Sequence, residues 1–168
     1  MAVVRGLPDP RRSHGGTSVP VPLTEGHEHD LEAMAAAVTE RTRLVILCTP
    51  NNPTGPSLTT EQVEGFLATV PADVVVAIDE AYREFHDPPE TVLDSASLFA
   101  RHGNVVLLRT FSKMQGLAGL RIGYAIAHPR LAAGLSQVTV PPFGSNLLAQ
   151  AAALATLRPE VRETLDGQ

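Results

Sequence analysis

The sequence predicts an α/β protein of three layers, with helices on both faces of a mostly parallel sheet. Three observations predict it. Several apolar runs lack the polar alternation of a half-buried strand, which marks strands covered on both faces. Segments with helical spacing lie between them. The polar clusters fall at the carboxyl ends of those runs, where sheets of this class bind ligands.

Residues 1–16 are rich in Arg, Pro and Gly and show no period, so they read as a loose N-terminal segment. "TSVPVPL" (17–23) reads as a short strand, and its prolines push it towards a sheet edge or bulge. "DLEAMAAAVTE" (30–40) has helical spacing, with Asp30 as its cap. "RLVILCTP" (43–50) is an apolar run ending in a Pro/Asn/Gly turn. "TTEQVEGFLATV" (59–70) reads as a helix with a threonine cap and Glu61 or Gln62 in its first turn. "DVVVAIDEAY" (73–82) is a second apolar strand that ends in charge. "ASLFARHG" (96–103) is a short helix closed by Gly103. "NVVLLRTF" (104–111) is a third such strand and "RIGYAIA" (121–127) a fourth. "PRLAAGLSQV" (129–138) and "SNLLAQAAALATLRPEVRETL" (145–165) are helical, and Pro159 interrupts the second.

The 168 residues suffice for one domain with a real core. Hydrophobic content of 43% and charged content of 18% fit a globular chain rather than a disordered one. The net charge of −5 argues against a nucleic acid or an anionic membrane surface as the main partner. No window approaches a transmembrane length of about 18 apolar residues. Pro and Arg stand where a signal peptide would need an apolar core. The one cysteine, Cys48, allows no internal disulfide, reads as a small buried residue, and points to a cytoplasmic location.

Lys113 is the sole lysine among 13 basic residues. Arginine serves for charge everywhere else, but it cannot supply a neutral amine. An ε-amine beside Ser112 at a strand end can act as a nucleophile and form a Schiff base with an aldehyde. Arg121 could hold a phosphate with two hydrogen bonds, and Thr110 and Ser112 offer hydroxyls to the same anion. Gly116 and Gly119 would let the loop wrap a ligand. Asp79 ends a buried strand, where a carboxylate is costly unless paired; it could pair with a protonated ring nitrogen. Tyr82 and Asn52 could donate to a ring oxygen. Each also has a plain structural account: Asp79 as a helix cap, Asn52 as a turn residue. "EGHEHD" (25–30) brings His27, His29 and Asp30 together as a loose metal-binding pattern, for which a solvated turn before a helix is the better account. His14, His86, His102 and His128 are scattered and carry no assigned role.

"TPNNPTG", "IDEAY" and "TFSKMQGLAGLRIGY", in this order, resemble the fold-type-I pyridoxal-phosphate aminotransferases. The histidinol-phosphate branch and its aromatic-amino-acid relatives are closest, and the resemblance runs from about Gly16 to Leu157. It implies a partial cofactor-binding large domain over residues 17–158, the central part of that fold, and a truncated tail over 159–168. It also implies the cofactor pyridoxal 5'-phosphate. Lys113 would be the catalytic Schiff-base lysine, and its freed amine would remove the substrate Cα proton. Asp79 would partner the pyridine nitrogen. Asn52 and Tyr82 would contact the ring oxygen, and Thr110, Ser112 and Arg121 the phosphate. The small-molecule substrates would be an amino donor, either histidinol phosphate or an aromatic amino acid, and a 2-oxo acid, 2-oxoglutarate. A homodimer is expected of the full-length family.

Family members are about twice this long. The resemblance therefore implies a chain without the glycine-rich phosphate loop, the ring-stacking aromatic residue, and the small domain with its carboxylate-binding arginine. The expectation is weak cofactor binding and little or no transamination. It also leaves the 17–23 strand without a neighbour, because family topology puts a strand from the absent part between it and 43–50. Two other readings stand beside this one: a pyridoxal-phosphate decarboxylase or lyase on the same scaffold, and a non-catalytic remnant that only associates with partner subunits.

Overall fold

The computed structural model describes residues 2–4, 16–86, 92–138 and 145–166. Its centre is a six-stranded sheet. In chain order the strands are β1 (Ala2–Val4), β2 (Val19–Val21), β3 (Leu44–Cys48), β4 (Val75–Asp79), β5 (Val105–Thr110) and β6 (Gly123–Ala127). In space they run β2-β1-β3-β4-β5-β6. β3, β4 and β5 are parallel, as their apolar composition predicts.

Two features depart from the expectation. Ala2–Val4, inside the segment read as loose, forms a strand between β2 and β3, antiparallel to both. Three residues are too few to show a period, and their pairing comes wholly from their neighbours. β2 therefore has a partner, and it lies at the sheet edge, where Pro20 is tolerated. Residues 5–15, including His14, lie outside the described residues.

The fourth apolar run is the second departure. β6 is antiparallel to β5 and largely exposed at its start, not a further buried parallel strand. The connection after Thr110 carries no crossover helix, and a chain that returns directly must run antiparallel.

The helices are α1 (Leu31–Ala36), α2 (Thr60–Leu67), α3 (Ser95–Arg101), α4 (Pro129–Val138), α5 (Leu147–Thr156) and α6 (Pro159–Asp166). Asp30 caps α1 by accepting from Ala33 N at 2.8 Å. Thr59 and Gln62 form a reciprocal capping box at α2. α1 stops at Ala36, four residues short of the 30–40 span. Pro159 opens α6, where its missing N–H costs nothing.

One sheet face is well packed. Val45 and Leu47, Val76 and Ile78, and Val105 and Leu107 point at Met34 of α1, Val63 and Phe66 of α2, and Leu98 of α3. Burying one such side chain fully contributes roughly 1.5–3 kcal/mol. The opposite face presents Leu44, Ile46, Val75, Ala77, Val106 and Leu108. There α4 leaves a groove of about 480 Å³, so these strands are closed on one face and part-open on the other. Among the described residues no helix is long and apolar enough to cross a membrane.

Candidate functional site

The parallel strands deliver their polar residues to one sheet edge. Strand register puts Cys48 opposite Asp79, and Asp79 opposite Leu108. The tips of β3, β4 and β5 are thus level. The order continues past the strands, since Thr49 N donates to Asp79 O and Glu80 N to Leu108 O, both at 2.9 Å. Each strand then turns away into a loop bearing candidate residues.

The first loop is tied to itself. Gly55 N donates to Asn51 O at 2.7 Å, and Asn51 Nδ2 to Thr54 Oγ1 at 2.6 Å. Gly55 sits at φ 96°, where an L side chain would be strained. This turn holds Asn52 out from the sheet, and its amide donates to Tyr82 Oη at 3.4 Å. After β4, Asp79 Oδ1 accepts from Ala81 N at 3.0 Å, which starts the bend that delivers Tyr82. After β5, Ser112 N donates to Thr110 Oγ1 at 3.0 Å. Lys113 follows, with Nζ 4.5 Å from the centroid of the Tyr82 ring.

Asn52, Tyr82 and Lys113 thus form one contact chain across three loops. Asp79 stands at the strand tip three residues before Tyr82, and Thr110 and Ser112 join the base of the Lys113 loop. Arg121 behaves differently. Its Nη1 donates to Ala118 O at 2.9 Å within its own turn. Among the described residues no hydrogen bond or ion pair joins it to the other six. Its backbone is left-handed, φ 53° and ψ 51°, a conformation that costs a non-glycine residue about 1–2 kcal/mol.

The lysine loop rests on a small apolar core of its own. Phe111, Ile122, Ala149 and Ala153 are buried together, with Leu117 and Leu120 packed against them. Phe111 N donates to Ile122 O, and Leu117 N to Phe111 O. α5 is therefore the floor under Lys113. Gly123 faces Thr110 in the ladder, and a Cβ there would come within 2.7 Å of Arg109 O. Only glycine permits that approach.

By residue type this set would suit a ring aldehyde. It offers a primary amine for the aldehyde, a carboxylate for a ring N–H, a phenol and an amide for a ring oxygen, and hydroxyls with a guanidinium for a phosphate. These residues fit pyridoxal 5'-phosphate.

The aminotransferase class I and II family matches residues 9–166. The chain belongs to that family. An aromatic amino acid aminotransferase of Rhodococcus opacus is 57% identical over 146 residues, which cover 87% of this chain and 40% of the relative. The corresponding protein of Streptomyces avermitilis is 56% identical with the same coverage. Among solved structures, histidinol-phosphate aminotransferase of Sinorhizobium meliloti in complex with pyridoxal 5'-phosphate superposes with a TM-score of 0.76 at 36% identity. That match covers 88% of this chain and 40% of that one. A decarboxylase of Sulfurospirillum multivorans gives a TM-score of 0.72 at 28% identity, covering 88% and 43%. The chain spans about 40% of the length of the relatives it matches. Pyridoxal 5'-phosphate is the cofactor of this aminotransferase family.

Sequence reasoning missed a group behind the site. Glu80 is 2% exposed. Its two oxygens accept from Arg83 Nη1 at 2.7 Å and Arg109 Nε at 2.9 Å. Ser95 Oγ lies within reach of both guanidinium groups, at 3.3 and 3.2 Å. A buried carboxylate is tolerated only with such pairing. Burial works to lower the Arg109 pKa, but Glu80 and Tyr124 outweigh it and hold the guanidinium above its ordinary value. The available signal was Glu80 itself, a second charge directly after Asp79 at the end of an apolar strand.

The "EGHEHD" turn has structural work instead of ligand chemistry. His29 is buried with Nε2 2.8 Å from Cys48 O, and Asp30 caps α1. Cys48 is only part-buried, and desolvation raises its thiol pKa.

Proposed function

We propose that this chain carries the cofactor half of a pyridoxal-phosphate aminotransferase site, acting on an aromatic amino acid with a 2-oxo acid as acceptor. The carrying observation is the convergence of Asn52, Tyr82 and Lys113, at 3.4 and 4.5 Å, over the tips of parallel strands.

When bound, the cofactor supplies an electrophilic aldehyde and a ring that delocalises the negative charge left at the substrate Cα. This chain's residues do the rest. Lys113 would hold the aldehyde end of the group, and its amine would hold and move the substrate Cα proton at Nζ. Asp79 keeps the ring nitrogen protonated. Asn52 and Tyr82 donate to the ring oxygen and fix the ring's rotation. Thr110, Ser112 and Arg121 hold the phosphate.

Identity favours the aromatic substrate: the aromatic aminotransferases reach 57%, against 36% for the histidinol-phosphate enzyme. Histidinol phosphate is the finer alternative within the family. Asn52, Lys113 and Arg121 are exposed to solvent, which supports weak cofactor retention and slow turnover by these residues alone. A homodimer in the cytoplasm completes the reading, in line with the single cysteine.

The test is product analysis with added cofactor and 2-oxoglutarate, offering phenylalanine, tyrosine or histidinol phosphate. Glutamate formed fastest from the aromatic donors supports the proposal. Faster transfer from histidinol phosphate overturns the substrate assignment. The decarboxylase of S. multivorans supports a second reading, for which release of carbon dioxide without glutamate is the signature. Cofactor binding with neither product would mark a non-catalytic remnant.

A further inference from the structure

We propose that Glu80 is a positioning residue for the cofactor site. With Arg83, Arg109 and Ser95 it forms an ionic brace around a buried carboxylate that sets Asp79, Tyr82 and Thr110 relative to one another. The inference rests on the cofactor reading above.

The brace and the site interleave residue by residue. Asp79 precedes Glu80, Tyr82 precedes Arg83, and Arg109 precedes Thr110. Arg109 and Thr110 are consecutive in β5, so their side chains leave the strand on opposite faces. Each of three cofactor candidates is thereby fixed through the backbone of a brace member.

The brace spans four elements. Glu80 follows directly on the last residue of β4, and Arg83 opens the short turn Arg83–Phe85 beyond Tyr82. Arg109 lies in β5, and Ser95 begins α3. Arg83 Nη1 also donates to Leu93 O at 2.8 Å. Glu80 accepts from both arginines, and Ser95 Oγ meets both again. Two guanidinium groups sharing two bridging partners make a closed ring of contacts. Movement of one strand tip against another would have to break a charged hydrogen bond to the buried Glu80 carboxylate. Such bonds are stronger than neutral ones. An arginine fork also fixes direction, which an ammonium does not.

The experiment is a pyridoxal-phosphate titration of the full chain, read by visible absorbance, with the Lys113→Ala signal subtracted. Thermal midpoint and circular dichroism of the cofactor-free proteins run in parallel. Glu80→Gln keeps shape and removes the charge. It is expected to weaken cofactor binding about tenfold and to move the pH midpoint of the bound cofactor's absorbance. Ser95→Ala removes one bridge and is expected to weaken binding about threefold at an unchanged thermal midpoint, so it decides the matter if Glu80→Gln does not fold. A purely structural brace would lower the thermal midpoint and leave affinity and pH midpoint alone. Wild-type affinity in folded Glu80→Gln, or in Ser95→Ala where that variant decides, overturns the inference. If the wild-type chain gives no absorbance change beyond Lys113→Ala, the cofactor reading itself fails, and this inference with it.

Discussion

Lys113 Nζ stands 4.5 Å from the centroid of the Tyr82 ring, and the Tyr82 hydroxyl in turn accepts from Asn52 Nδ2 at 3.4 Å. One phenol thus touches the amine through its face and the amide through its edge. Contacts of the first kind are worth about 0.5–1 kcal/mol at an exposed site. Tyr82→Phe keeps the face and removes the hydroxyl. It should leave the thermal midpoint unchanged and weaken cofactor affinity a few-fold in an absorbance titration. Tyr82→Ala should cost more in the same assay, because Lys113 then loses its rest position as well.

Arg121 holds a left-handed backbone that glycine would adopt without strain. Arg121→Gly should therefore leave stability within about 1 kcal/mol of wild type, since relief of strain offsets the greater freedom of the unfolded chain. Affinity for pyridoxal phosphate should fall about tenfold, while affinity for pyridoxal, which has no phosphate, should not change. Equal losses for both ligands would remove Arg121 from the phosphate site.

Gly123 lets β6 pass close to β5 beside Thr110. Gly123→Ala puts a methyl against Arg109 O, a backbone atom that cannot swing aside. The expected result is a loss of about 1–3 kcal/mol in urea unfolding, as for other overpacked positions. Amide exchange should quicken in residues 105–110 and 123–127 more than in β3.

His29 gives the stability a pH dependence of known sign. Burial lowers its pKa from the ordinary 6.5. Nε2 lies 2.8 Å from Cys48 O and 3.2 Å from Cys48 N, and Nδ1 is buried without a partner among the described residues. The charged ring carries a proton on both nitrogens, and the one on Nδ1 finds no acceptor. The unfolded chain binds that proton more readily than the folded one, so stability rises with pH across this window. The contribution is complete above about 6.5 and is lost as pH falls towards the lowered value. His29→Gln cannot titrate. Its urea midpoint should fall less than that of the wild type between neutral and mildly acidic pH. Parallel curves would contradict this account of His29.

The parallel core, and the gathering of polar residues at the carboxyl ends of its strands, were legible in the sequence for one physical reason. Unalternating runs such as "VVVAID" and "NVVLL" mark burial, and charge at their ends marks an exposed rim. The direction of β6 was not legible. "GYAIA" has the same composition as a parallel strand, and only the direct return after Thr110 reverses it. β1 was invisible because three residues carry no period. The helix caps at Asp30 and Thr59 were readable, since capping is local. The brace was not, because Glu80, Arg83, Ser95 and Arg109 are separated in sequence and meet only once the strand tips are level. The same holds for the core under the lysine loop, where Phe111 and Ile122 meet Ala149 and Ala153 of α5.

The most direct measurement concerns the single lysine. Pyridoxal phosphate is added to wild-type chain, Lys113→Ala and Lys113→Arg, and each mixture is reduced with borohydride and mapped by peptide mass. With the α-amino terminus scored separately, the account predicts one modified internal peptide in the wild type, carrying the cofactor on Lys113, and none in either variant. An internal peptide left unmodified in the wild type, or internal labelling that persists without Lys113, would contradict it.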